Sequence, residues 1–181
     1  MTALRQNLMT VEQFYAWAHN RPERWELLDG EAVPMSPGRV IHGQTKYRVA
    51  SALDGAIAKA GLPCHMLLDG VAVEIDVRNS YQPDVLVYCG ETASPDALVV
   101  RNPVIVVEVL SPSNALKDLR DKLQGYFRVP SIQHYLIADP DKRIVIHHAR
   151  AQDAIATRIV SEGDIALEPP GLSFTVLSLF G

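Results

Sequence analysis

The stretch PVIVVEVLSPS, residues 103–113, decides how this chain folds. A run of valine and isoleucine bounded by prolines is typical of a strand covered on both faces, as in the middle of an α/β sheet. Glu108 places a carboxylate inside that run, and an ionised carboxylate in apolar surroundings is costly unless a cation or strong hydrogen-bond donors compensate it. Two interpretations follow: Glu108 is a structural ion-pair or capping residue, or it holds a positive group at a functional site.

The segments on either side of this strand predict further strands and a helix. Residues 83–88, PDVLVY, form a short apolar strand that carries Asp84 at its start. Residues 114–127 have apolar side chains at helical spacing, which predicts an amphipathic helix with Lys122 at the edge of its buried face. Residues 134–139 and 143–146 predict two more strands, followed by short strands in the tail.

The N-terminal half predicts two helices and a hairpin. Residues 10–13 have the spacing of a capping box, opening a helix that stops before Pro22. Within residues 25–33, Asp-Gly supplies the positive φ angles of a two-residue hairpin turn. Residues 41–60 form a helix that ends in glycine, and a second Asp-Gly turn within 66–77 predicts a strand or hairpin.

Composition favours one globular domain spanning residues 1–181. A chain of 181 residues with 48% apolar composition can bury a sizeable core by itself. No apolar stretch approaches the ~20 residues that span a bilayer, and the N-terminus lacks the basic region and hydrophobic run of a secretory signal, so we expect a soluble cytoplasmic protein without membrane partners. Cys64 and Cys89 are too few and too isolated for a disulfide framework or a zinc site, so we expect two small buried apolar residues.

The charge of the chain limits how it could bind nucleic acid. A formal net charge of −4 argues against binding through a large positive field, so any such contact must be local. The cations of the two central helical segments form either a restricted basic patch or solvated helix faces. They are Arg39, Lys46, Arg48, Lys117, Arg120, Lys122 and Arg128.

In their order and context, these segments resemble the PD-(D/E)XK nuclease superfamily and, more narrowly, the Uma family (Uma-two type) of restriction-endonuclease-like proteins. The resemblance covers nearly the whole chain. Its matching pieces are residues 25–31 (WELLDGE), 35–37, His42, 83–85, 107–113, Asp118, Lys122, Tyr126 and 135–140. It implies an α/β fold with a restriction-endonuclease-like core: a mixed central sheet flanked by helices, with an added N-terminal hairpin and C-terminal strands.

The resemblance also implies a chemistry. Asp84 and Glu108, from adjacent strands, would converge on a divalent metal, with DNA phosphodiester and water as further ligands. Magnesium suits carboxylate oxygens and retained waters, with manganese as its substitute. Because two DNA strands need two cuts, we expect a homodimer by analogy with nucleases of this fold.

One position departs from the nuclease pattern. Leu110 stands two residues after Glu108, where a lysine is expected. The Uma family resembles nuclease relatives whose lysine has moved to the following helix, and Lys122 matches that place. There its ammonium could orient water or stabilise the transition state. The alternative is a helix-surface lysine paired with Asp118 one turn earlier.

The other candidate residues each have a structural alternative. Asp84 follows proline and could serve only a turn, accepting backbone hydrogen bonds. Glu26 could be a third acid at the metal, whereas Glu31 beyond the turn is expected to be solvated. His42 could contact phosphate or accept a proton, although a hydrogen-bonded core histidine is the more common meaning of its position.

Two aromatic features are interpreted structurally. The neighbouring His147 and His148 should point to opposite faces of a strand, which argues against a shared metal. Tyr126 is interpreted as a packing residue with a hydroxyl group available for a hydrogen bond.

The leading hypothesis is therefore a magnesium-dependent DNA endonuclease with Asp84 and Glu108 on the metal, Lys122 at the transition state and Glu26 assisting. The alternative is a catalytically silent nucleic-acid-binding or assembly module on the same scaffold, which the acidic charge and the missing strand lysine favour. RNA is a third possible substrate.

Overall fold

The computed structural model describes residues 8–111 and 116–181, with residues 116–120 described by their backbone alone. These ranges contain the helices α1 (Val11–Ala18), α2 (Val40–Ala60) and α3 (Leu116–Tyr126), and a final 3₁₀ turn, Val176–Leu179. The predicted capping box opens α1, and a left-handed Gly61 ends α2. None of the described helices combines the length and the apolar character needed to cross a bilayer.

The strands follow the predicted order with one addition. They are β1 (Trp25–Leu28), β2 (Glu31–Pro34), β3 (Cys64–Leu68), β4 (Val73–Asp76), β5 (Asn79–Tyr81), β6 (Val85–Cys89), β7 (Pro103–Val109), β8 (His134–Asp139), β9 (Ile144–Arg150), β10 (Ile155–Val160), β11 (Asp164–Leu167) and β12 (Leu172–Thr175). The sequence pattern did not predict β5, because Asn79 and Ser80 are polar yet buried. Their side chains are satisfied internally, Asn79 by Asp76 and Ser80 by the Tyr15 hydroxyl.

A six-stranded mixed sheet forms the centre of the molecule, in the order β10-β9-β8-β7-β6-β3. β7 and β8 run parallel, and the other neighbours run antiparallel. The strand β7 lies in the interior of this sheet and is almost entirely buried, as its apolar sequence predicts. The predicted α/β architecture, a mixed central sheet with flanking helices, is confirmed.

Helices cover both faces of this sheet. On one face, Val49 and Leu53 of α2 pack with Val85 and Val107, together with the β11–β12 hairpin. On the other face, Tyr126 of α3 packs with residues of β6, β7 and β8. Both helices can therefore send side chains to the same end of the sheet.

A second sheet, in the order β2-β1-β5-β4, is covered by α1. The predicted β1–β2 hairpin is confirmed, with Asp29 at φ 50° and Gly30 at φ 84° in its turn. The next Asp-Gly pair, at 69–70, also has positive φ, but it sends the chain from the large sheet to the small one. As a result, β3 pairs with β6, and β4 pairs with β5.

The expectation for the cysteines is wrong. Cys64 and Cys89 form a disulfide with each other, 25 residues apart in sequence. The antiparallel register of β3 and β6 places these two residues directly opposite one another. Their wide spacing gives no local sign of the pairing, since only the strand register brings them together.

Candidate functional site

Asp84 lies just before β6, where the large sheet, α2 and β7 meet. It is 4% exposed. Its Oδ2 accepts the backbone N–H of Val109 at 2.7 Å, and its Oδ1 lies 2.6 Å from the Lys46 ammonium. Val85 of β6 is paired with Val107 of β7 in antiparallel register. The next position along this register therefore places Asp84 opposite Glu108.

Glu108 is 3% exposed and lies near the end of β7. Its Oε1 accepts hydrogen bonds from the Lys122 ammonium at 3.0 Å and from the Tyr126 hydroxyl at 2.7 Å, both on α3. The buried carboxylate thus has a cation and a strong hydrogen-bond donor beside it, as its position in an apolar strand requires.

Burial raises the pKa of Glu108 to about 8. The Lys122 charge opposes this rise, whereas the negative charges of Asp84 and Glu26 add to it. Burial alone would also raise the pKa of Asp84, but its hydrogen bond with His42, the Lys46 charge and the Val109 N–H together lower it. Two carboxyl groups in one site therefore have pKa values that are pushed apart, a pattern frequent at functional sites.

Glu26 reaches the same place from the small sheet. It is a buried residue of β1, and its Oε1 lies 2.9 Å from the Lys122 ammonium. The same oxygen accepts the backbone N–H of Gln82 at 2.8 Å. Lys122 therefore bridges Glu26 and Glu108, and its side chain is only 6% exposed, more deeply buried than the helix edge that was predicted. The side chain of Asp118, its proposed partner in the alternative interpretation, lies outside the described residues.

His42 has the hydrogen bonds of the structural role considered for it and also faces the cleft. Its Nε2 donates a hydrogen bond to the Val109 carbonyl at 3.0 Å and lies 3.5 Å from Asp84 Oδ2. It also lines the cleft that contains the acids. A methyl group on Gly38 would collide with the imidazole, so the loop before α2 fits closely around it. His42 is thus a hydrogen-bonded residue that helps to hold Asp84 in position beside the end of β7.

Three residues of this network were not predicted at the site, and Lys46 was named only among the cations of the helical segments. Lys46 contacts Asp84 and also Asp69, at 3.1 Å, and Arg24 contacts Asp69 at 2.7 Å. The four-residue spacing of His42 and Lys46, which puts both on one face of α2, was the available signal. Asp69 gave no such signal, because an Asp-Gly pair is expected in a turn whether or not the aspartate belongs to a site.

A cleft of about 980 Å³ contains all five predicted site residues. They are Glu26, His42, Asp84, Glu108 and Lys122. The loop before α2 forms one wall, with Met35, Pro37 and Arg39 among its lining residues. The volume lies in the range of small-ligand and cofactor pockets, and the cleft is open to solvent on one side.

The donor chemistry of the cleft suits magnesium. The described residues hold no ready group of three or more His, Cys, Asp and Glu side chains at metal-ligand spacing. Magnesium, however, is commonly held by one or two carboxylates plus waters and substrate phosphates. Both hydrogen bonds that Glu108 accepts from described residues reach Oε1, which leaves its second oxygen available as a ligand. Asp84 would have to exchange its Lys46 contact for the ion.

Other predicted cations and the two histidines of β9 have contacts of their own. Arg39, Lys46 and Lys122 line the cleft, and Arg39 also pairs with Asp141, whereas Arg128 pairs with Asp76 outside it. His147 Nε2 lies 2.9 Å from His134 Nδ1, whereas His148 bonds Thr157 and stacks on Tyr135. The two histidines therefore point to opposite faces of β9, as predicted.

Comparison with known proteins agrees with this architecture. The Uma2 family, described as putative restriction endonuclease, matches residues 11–179. Two relatives from Synechocystis sp. (strain PCC 6803) are the uncharacterized proteins slr1290 and sll1609. The first is 26% identical and covers 93% of this chain and 89% of the relative, and the second is 25% identical and covers 84% and 87%.

A solved structure shares the fold. It is a putative nuclease belonging to DUF820 from Anabaena variabilis, with a TM-score of 0.75 and 17% sequence identity. The alignment covers 95% of this chain and 97% of the solved one. Since the family match spans almost the entire sequence, the chain belongs to the Uma2 family of putative restriction endonucleases.

Proposed function

We propose that the protein is a metal-dependent endonuclease that hydrolyses phosphodiester bonds in DNA. The observation that carries this proposal is the meeting of Asp84 and Glu108 in one cleft, at neighbouring ends of the adjacent strands β6 and β7, beside Lys122 and Glu26. Membership of a restriction-endonuclease family supports it.

In this proposal Asp84 and Glu108 hold the divalent ion, and Glu26 is a third acid at the edge of its site. Bound magnesium would neutralise charge on the phosphate and lower the pKa of the attacking water. Lys122, fixed between two carboxylates, orients the water or stabilises the charge that develops on the phosphate. Tyr126 holds Glu108 in place through its hydroxyl.

The test is cleavage of labelled DNA by the purified protein with Mg²⁺, with Mn²⁺ and with EDTA. We expect cleavage only with a metal, and a loss of at least about 10²-fold in Asp84→Asn and Glu108→Gln. Asp54→Asn and Glu31→Gln are matched controls, because both side chains are exposed and outside the cleft. Full activity in folded Asp84→Asn or Glu108→Gln protein would eliminate the mechanism, and parallel assays on RNA identify the substrate class.

A second candidate is the silent binding or assembly module. The observation that favours it is that Lys46 and Lys122 already neutralise the two central acids. It predicts that Mg²⁺ leaves the melting temperature unchanged. An endonuclease predicts a rise with Mg²⁺ in the native protein, and no rise in Asp84→Asn, since a ligand that binds only the folded state stabilises it.

We also propose that the active form is a homodimer, because a duplex requires two cuts. This part of the proposal rests on analogy. Light scattering at assay concentration should give twice the monomer mass of 19.9 kDa, and a monomer under cleaving conditions would remove it.

A further inference from the structure

The cleft holds a second lysine, Lys46, which lies outside the segments that carry the family resemblance. Lys46 projects from α2, and its ammonium lies 2.6 Å from Asp84 Oδ1 and 3.1 Å from Asp69 Oδ2. Its side chain is 13% exposed, whereas that of Lys122 is 6% exposed. Each of the two central acids thus has its own lysine, and the Lys46 end of the cleft is the more open one.

The charge of the cleft makes a cation in this place significant. Among the described residues, six Asp or Glu side chains and four Lys or Arg side chains line it, so this part of the wall carries more acids than bases before any ion binds. Arg39 is paired with Asp141, and Lys122 is held between Glu26 and Glu108. A phosphate that enters such a cleft needs a cation that can be presented to it.

Asp69 can keep Lys46 in position when Asp84 changes partner. The Asp69 N–H donates to the Asp84 carbonyl at 3.0 Å, so the two acids are tied through the backbone. Arg24 holds Asp69 Oδ1, and Lys46 contacts both Asp69 oxygens. If Asp84 turns to a metal ion, Lys46 retains a carboxylate partner beside the cleft.

We propose that Lys46 is a phosphate-contacting residue, whose ammonium donates a hydrogen bond to a phosphate oxygen of the nucleic acid bound in the cleft. This inference rests on the proposed nuclease function and names a residue that binds its substrate. The structural alternative is that Lys46 only neutralises the buried Asp84.

The salt dependence of binding separates these roles, because a lost phosphate contact changes it and a lost internal ion pair does not. The probe is a short fluorescein-labelled DNA duplex, bound by the full chain in Ca²⁺ over a series of KCl concentrations. We expect Lys46→Met to reduce the slope of log Kd against log salt by about 0.9. Lys46→Arg, which keeps the charge, should retain most of the slope.

Lys59→Met is the matched control, since Lys59 lies on the same helix, is exposed and stands about 20 Å away along the axis. Its slope should equal that of the native protein. Lys46→Gln is measured in parallel, so that a folding failure of the methionine variant does not remove the test.

Three outcomes overturn the inference. A native slope in folded Lys46→Met or Lys46→Gln does so, and so does an equal loss in Lys46→Arg. If the native protein binds no DNA in Ca²⁺ and cleaves none in Mg²⁺, both the proposed function and this inference are refuted. Native protein that binds or cleaves while the Lys46 variants keep its slope refutes the inference alone.

Discussion

At the scale of single residues, Glu108 could be singled out from the sequence because it breaks an apolar run. A buried carboxylate demands a partner, and the structure supplies Lys122 and Tyr126. The sequence around Lys46 and Asp69 does not mark them as site residues in this way, because a helix lysine and an Asp-Gly turn are both ordinary features. Patterns reveal residues that violate local expectation, and they pass over residues that satisfy it.

The raised pKa of Glu108 predicts how its mutation alters the response of stability to pH. Its carboxyl group has an ordinary value of 4.5 and reaches about 8 in the folded state, because burial disfavours the charged form. The stability that it contributes is complete below the ordinary value and is lost as pH rises toward about 8. We expect the native protein to lose at least about 1 kcal/mol more than Glu108→Gln between pH 5 and pH 8.

Urea unfolding at several pH values measures this difference. The buried histidines titrate equally in both proteins, so they cancel in the comparison. Glu31→Gln at the exposed end of the hairpin should follow the native curve. Parallel pH curves for the native protein and Glu108→Gln would contradict the burial of an ionisable Glu108.

At the scale of elements, the site depends on how closely α3 approaches its neighbours. A methyl group at Gly125 would lie 2.5 Å from the Tyr81 ring. Arg150 of β9 binds the carbonyl oxygens of Phe127, Val129 and Ile132 just after the helix. The position of α3, and with it that of Lys122, is therefore set by contacts on two sides.

This close approach predicts that two glycine substitutions change the free energy of unfolding in opposite directions. Alanine normally stabilises a helix by about 1 kcal/mol relative to glycine. Gly55 of α2 has open space around it, so Gly55→Ala should raise the free energy of unfolding by about 0.5–1 kcal/mol. Gly125→Ala should lower it by at least about 1 kcal/mol, because Tyr81 must move. Chemical denaturation measures both, and a stabilising Gly125→Ala would refute the tight packing.

The elements also show where pattern reasoning stops. The β1–β2 hairpin could be predicted because Asp29-Gly30 fixes its turn locally. The same dipeptide at 69–70 joins two different sheets, since the partner of a strand is chosen by packing beyond the turn. β5 was missed because its buried polar residues are stabilised by distant partners.

At the scale of the whole molecule, one disulfide bond joins the two strands of the large sheet between which the chain passes through the small sheet. The chain leaves the large sheet after β3, forms β4 and β5 in the small sheet, and returns as β6. The Cys64–Cys89 bond joins the two strands that bracket this excursion. It therefore restricts the unfolded chain as well as one edge of the folded sheet.

Removal of this bond should destabilise the whole fold. For a loop of this size, the loss of the cross-link is expected to cost about 3 kcal/mol. Treatment of the native protein with a reductant should lower its urea midpoint, while the Cys64→Ala, Cys89→Ala double variant should be insensitive to reductant. If the urea midpoint of the native protein does not change with reductant, the disulfide bond contributes nothing to its stability in solution.

Lys122 joins the two sheets through its side chain, with Glu26 on β1 of one and Glu108 on β7 of the other. The full set of acids thus exists only after both halves of the architecture have docked. A chain whose two sheets have not docked would not bring Glu26 together with the Asp84–Glu108 pair. Chemistry of the kind proposed would therefore require that folding be complete.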